Sequence, residues 1–281
     1  MNGALIASTK LAPRPGRSPS PLVRPSPPPP QAQPSRPEAP ASTLPEFIDW
    51  PLVRNHVREE SLYGDVINHA TKPFLTDGRH VNAHETAHGI HSDLRQKFSR
   101  PPVNRLNGFY IPGGKAVLVQ EPKLRKSQVS PFLPPALRSY RYNTYISGQK
   151  EWDDTPLYIW DEWNAYIIGG EVAIDDKKAG RSVVPHDAVS GCLDFSIYAI
   201  ALAMAVEKHD PEYWQSNQQF RRFLIWNLQR AEKTFRMGQE IKEFQFPPQD
   251  KLLQALRQDP SAEPMRQFIR QHLHGVWLAE R

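Results

Sequence analysis

The stretch His80-Val81-Asn82-Ala83-His84-Glu85-Thr86-Ala87-His88-Gly89-Ile90-His91 decides how this chain is read. Four of the ten histidines fall within it, spaced by turns of a helix. Residues four apart on an α-helix project from one face, so His84 and His88 can aim two imidazole nitrogens at one zinc ion, with bonds of about 2.0–2.1 Å. Glu85, rotated by about 100°, reaches a water on the open side of such an ion rather than the ion itself. Val81, Ala83, Ala87 and Ile90 supply a small apolar setting suited to a buried active helix. His80 and His91 read as residues that orient a ligand or face solvent, because three protein ligands complete a catalytic zinc site.

The third ligand must come from elsewhere in the chain. An extended HExxHxxGxxH pattern would need glycine where His91 stands and histidine where Leu94 stands, which argues against a metzincin. Downstream, Trp160-Asp161-Glu162-Trp163-Asn164-Ala165 offers a carboxylate followed three positions later by a small residue. HExxH followed by ExxA resembles the gluzincin zinc metallopeptidases, and the short arrangement is similar to the catalytic-domain family of anthrax lethal factor. The resemblance rests on these two motifs alone. It implies an α+β, zincin-like metallopeptidase domain, with His84, His88 and Glu162 holding Zn2+ and Glu85 as general base. The small residue would let the two helices approach closely enough to share an ion.

Glu171, in Gly169-Gly170-Glu171, is the rival ligand. At about 100° per residue it falls on the opposite side of the helix from Glu162, so both face one ion only if the helix breaks at the glycines. Asp161 can accept the second N–H of a zinc-bound histidine. Tyr158, Tyr145, Tyr166 and His186 are the candidate donors to an oxyanion, and no motif selects among them.

Working outward, 13 of the 29 prolines lie in the first 45 residues, four of them in a row at 27–30. Such a segment cannot bury enough apolar surface to offset ordering entropy, so 1–45 reads as a disordered Pro-rich tail and 46–281 as the folded domain. Net charge is +5, of which +3 belongs to Lys10, Arg14, Arg17, Arg24 and Arg36 against Glu38 and Glu46. The remainder is nearly neutral with interspersed signs, unlike a surface that neutralises phosphates, so nucleic acid is not an expected partner. One cysteine, Cys192, excludes an internal disulfide framework. The most apolar run, Phe195 to Val206, is 12 residues long, short of the roughly 20 that span a bilayer, and reads as a buried helix. No signal-peptide pattern is legible, which leaves cytoplasmic and exported locations both open.

Element by element, the sequence predicts a short strand at Tyr63 to Ile67, a helix at Arg79 to Phe98, a β-hairpin turning at Pro112-Gly113-Gly114, and a helix at 157–174. Further helices are expected at 188–208, 211–236, 249–258 and 262–279. These make a small sheet near the HExxH helix and a mostly helical C-terminal lobe, with the cleft expected between them. The hairpin could present an edge strand to an extended peptide or form ordinary core sheet. The functional expectation is hydrolysis of a protein or peptide substrate through a metal-activated water. The alternative is a non-enzymatic scaffold with a docking tail and an aromatic surface from Trp214, Phe220, Phe223, Trp226 and Phe235.

Overall fold

Helix α2 (Arg79–Phe98) starts where Asn82 exchanges two hydrogen bonds with the backbone of Asp77, at 2.9 and 2.7 Å. It stops ahead of Pro101-Pro102, with Arg95 and Lys97 at its negative C-terminal end. The computed structural model of the protein describes residues 44–182 and 187–279; positions 1–43 of the Pro-rich tail and His186 lie outside these. Along α2 the apolar positions Ala83, Ala87, Ile90 and Leu94 recur at helical spacing and are fully buried.

The face of α2 packs on a three-stranded antiparallel sheet of order β1-β3-β2, built from β1 (Ile48–Asp49), β2 (Leu106–Ile111) and β3 (Lys115–Gln120). The β2–β3 hairpin pairs Phe109 with Val117 and Tyr110 with Ala116. Gly113 and Gly114 make its turn at φ 91° and 69°, a region that side chains disfavour. Leu94 sits so close to Gly108 that a Cβ there would come within 2.3 Å of its own Cβ, so helix and sheet meet at a glycine.

Helix α3 (Tyr158–Lys178) is the spine of the molecule, buried on both sides. Ala165, Ile168 and Val172 join α2 and the sheet in one apolar cluster, while Trp160, Trp163 and Ile167 enter a second and larger one. That second cluster centres on α4 (Ser190–His209) and takes in α5 (Pro211–Ser216), α6 (Gln218–Gln239), α7 (Pro247–Gln258) and α8 (Glu263–His272). By length and composition α4 could cross a membrane, but 89% of its apolar window is buried inside the protein, as befits a core helix. Of the aromatics read as a possible interaction surface, Trp214, Phe220, Phe223 and Phe235 are core residues.

The α+β composition, the helix Arg79–Phe98 and the hairpin are as expected, whereas four local readings change. Tyr63 to Ile67 is not a strand but part of helix α1 (Leu62–Asn68): Ser61 caps it by accepting from the Gly64 N–H at 3.0 Å, and Tyr63, Val66 and Ile67 bury one helical face. The helix expected to end at Ile174 continues to Lys178 without breaking at Gly169-Gly170. The helix expected over 211–236 is two, because the Asn217 side chain accepts from the Phe220 N–H at 2.9 Å and starts α6 afresh. The last helix ends at His272, where the Gly275 N–H turns back to the Ile269 carbonyl and His274, Gly275 and Trp277 take positive φ.

Candidate metal centre

His84 and His88 leave the same face of α2 and meet Glu162 of α3 at the contact between the two helices. The Nε2 atoms of His84 and His88 are 3.1 Å apart, and Glu162 Oε2 lies 3.8 and 3.5 Å from them. Tetrahedral ligands on zinc–ligand bonds of about 2.0–2.1 Å are separated by about 3.3 Å, so the three atoms form a triangle of the size a zinc ion needs. Glu162 is buried; its Oε1 accepts from the Tyr158 hydroxyl at 2.5 Å, and its Oε2 has no hydrogen-bond partner among the described residues. A buried carboxylate oxygen without a partner is costly, and a cation between it and the two imidazoles would remove that cost. The donor set, two imidazoles and one carboxylate, suits zinc.

The close approach that brings these atoms together depends on small residues. Ala165 is fully buried against α2, and one turn on, a Cβ at Gly169 would lie 3.1 Å from the His80 carbonyl oxygen and 3.4 Å from the His84 Cβ. Glu171 points elsewhere: Arg230 of α6 holds its carboxylate at 2.8 and 2.6 Å. Because α3 runs unbroken through the glycines, Glu171 stays on the face opposite Glu162.

Asp161 stands behind the triangle. Its Oδ1 accepts from Nδ1 of His88 at 2.5 Å and from Nδ1 of His91 at 2.9 Å, and its Oδ2 accepts from Arg95. Burial opposes charge at Asp161, His88 and His91, yet the two imidazoles outweigh it at Asp161, whose carboxyl is held well below the usual carboxylate range. His88 is likewise desolvated, but Asp161 and, after it, Glu162 override this and raise it well above the ordinary imidazole value. His84 has no such partner, and burial followed by the neighbouring His88 pushes it well down.

Glu85 is 45% exposed, with Oε1 4.0 Å from His84 Nε2. It lines a cleft of about 300 Å3 with His80, Val81, His84, Arg141, Tyr166, Gly169, Gly170, Asp187 and Ala188. The cleft thus lies between α2, α3 and the segment leading into α4, and not between sheet and helical lobe as the sequence had suggested. Nor does the hairpin offer an open edge to a peptide there. Its outer strand β2 is almost wholly buried, and the Tyr110 carbonyl accepts from Asn164 at 2.7 Å.

Among the candidate oxyanion donors, Tyr158 is committed to Glu162. Tyr166 lines the cleft, stands edge-on to His84 with ring centres 4.4 Å apart, and meets the Tyr145 hydroxyl at 3.1 Å. The loop carrying Tyr145 is clasped by Lys126, whose buried ammonium donates to the carbonyls of Tyr145 and Gly148 at 2.9 and 2.6 Å.

Sequence reasoning missed Arg141, His91 as an Asp161 partner, Asn164 and Arg230. Arg141 is buried at the cleft wall by Asp194 at 2.6 Å, Ser190 at 2.9 Å and Asp187 at 3.2 Å. No local spacing marks it, since those partners lie 46 to 53 residues away. No known protein family, curated protein or solved structure matches this chain.

Proposed function

We propose that the protein is a zinc-dependent peptidase, with His84, His88 and Glu162 as ligands and Glu85 as general base. The observation that carries this reading is the converging triangle of ligand atoms, with a buried carboxylate oxygen at one corner that makes no hydrogen bond among the described residues. Zinc bound there supplies a Lewis acid for the scissile carbonyl and lowers the pKa of water to about 7. Glu85, exposed and beside the cleft, takes the proton of the attacking water and passes it to the leaving amine. Asp161 keeps the His88 ring oriented with its Nε2 toward Glu162, and Tyr158 does the same for the Glu162 carboxylate. Tyr166 is the tyrosine this reading favours as oxyanion donor, because it lines the cleft while the Tyr158 hydroxyl is already committed.

Metal analysis of the purified protein, with a peptide-library cleavage assay of the parent and Glu85→Gln, tests the proposal. The expected result is one zinc per chain in both proteins and hydrolysis in the parent alone. Zinc without cleavage of any peptide would remove the peptidase and leave a metal site. Protein that binds no zinc would remove both and favour the scaffold alternative.

A further inference from the structure

Behind the triangle runs a buried polar chain whose proton positions are dictated from its far end. Asn164, fully buried on α3, donates from Nδ2 to the Tyr110 carbonyl at 2.7 Å and contacts His91 Nε2 at 3.0 Å. Its Oδ1 accepts from Arg230 Nη1 at 2.9 Å, and Arg230 is in turn gripped by Glu171. A carbonyl can only accept and a guanidinium can only donate, so two partners independently set which end of the Asn164 amide is NH2. That NH2 faces His91 Nε2, which must therefore be the bare, accepting nitrogen. The proton of the His91 imidazole is then on Nδ1, pointing at Asp161 Oδ1. With His91 donating to Oδ1 and Arg95 to Oδ2, Asp161 is fixed in place to accept from His88 Nδ1, so that Nε2 is the ring nitrogen turned toward Glu162 and His84.

We propose that Asn164 and Arg230 are positioning residues that lock the Nδ1–H tautomer of His91 and, through Asp161, set the orientation of His88 toward the metal. The inference deepens the peptidase reading and rests on its metal site for the last step alone. Neither residue belongs to the triangle of ligand atoms or to the lining of the cleft. Arg230 and Glu171 form part of the wall of a cavity of about 610 Å3 on the other side of α3, so Arg230 can be changed without opening the main core.

The test begins with the unaltered, zinc-free protein: 15N NMR of its histidine rings reads the His91 tautomer directly, with no substitution and no activity needed. Nδ1–H with a bare Nε2 is expected; Nε2–H, or protonation of both nitrogens, overturns the inference. Asn164→Leu should then lose the tautomer preference and weaken Co2+ or Zn2+ binding roughly tenfold in chelator competition. Arg230→Met should produce a smaller loss in the same direction, and Arg230→Lys should recover it by restoring a donor. Unchanged metal affinity in Asn164→Leu, with His91 still Nδ1–H, would make the chain structural only and also overturn the inference. A parent that binds no metal refutes the peptidase reading instead, and the ring NMR still decides where the His91 proton lies.

Discussion

Oδ1 of Asp161 stands 2.5 Å from Nδ1 of His88, on the side of the ring away from Glu162. The contact holds the ring plane, places a proton on Nδ1 and makes Nε2 a better donor to a cation. Asp161→Asn keeps the shape but exchanges an acceptor-only group for an amide. Zinc affinity should fall by roughly 10–100-fold with helical content unchanged. A chelator titration in which variant and parent coincide would remove Asp161 from the metal site.

Glu162 supplies the other argument for a cation, through an Oε2 that makes no hydrogen bond among the described residues. A metal that binds only the folded chain stabilises it by mass action, by about 2.7 kcal/mol at a free concentration 100 times the dissociation constant. Thermal unfolding of the parent should therefore shift upward with added zinc and back with a chelator, while Glu162→Gln should shift far less. Equal shifts for the two proteins would place the ion elsewhere.

Gly169 and Gly170 are neighbours in sequence with opposite tolerances. A side chain at Gly169 enters the α2–α3 contact, 3.1 Å from the His80 carbonyl oxygen, whereas one at Gly170 finds its nearest atoms at 3.4–3.5 Å, an ordinary contact distance. Gly169→Val should cost about 1–3 kcal/mol by overpacking and loosen the metal site. Gly170→Ala should be neutral or stabilising by up to about 1 kcal/mol, since it reduces the freedom of the unfolded chain. Urea denaturation of the pair checks the contrast, which fails if both glycines tolerate substitution equally.

Glu121 predicts a pH effect away from the site. Burial raises its carboxyl from an ordinary 4.5 to about 7, although it accepts from the Leu157 N–H at 2.7 Å and from Asn107. Between these values the folded chain holds the proton and the unfolded chain does not, so this group's contribution to stability declines as pH rises through the window. Glu121→Gln removes that dependence. The stability of the variant relative to the parent should increase by up to about 3 kcal/mol from pH 4.5 to pH 7.5. A difference that stays flat, or runs the other way, would mean that Glu121 is ionised throughout in the folded protein.

What the sequence determined by itself was local. The spacing of His84, Glu85 and His88 follows from the helical repeat, and so does the burial of Ala83, Ala87 and Ile90, whereas Val81, read with them as part of the apolar setting, is half-buried at the cleft. The hairpin around Gly113-Gly114 is equally local, because only glycine takes such φ values without strain. Tyr63 to Ile67 is a short apolar run that fits strand and helix alike, and the Ser61 cap with burial against α2 makes it helix. The choice between Glu162 and Glu171 was framed by helical rotation, but tertiary structure alone decided what each carboxylate meets: the Tyr158 hydroxyl and two imidazoles in one case, Arg230 in the other. The closed edge at Tyr110 and the chain from Arg230 through Asn164 and His91 to Asp161 were not legible at all. These links join residues 54 to 73 positions apart, where no backbone periodicity relates one side chain to the next and only packing brings them together.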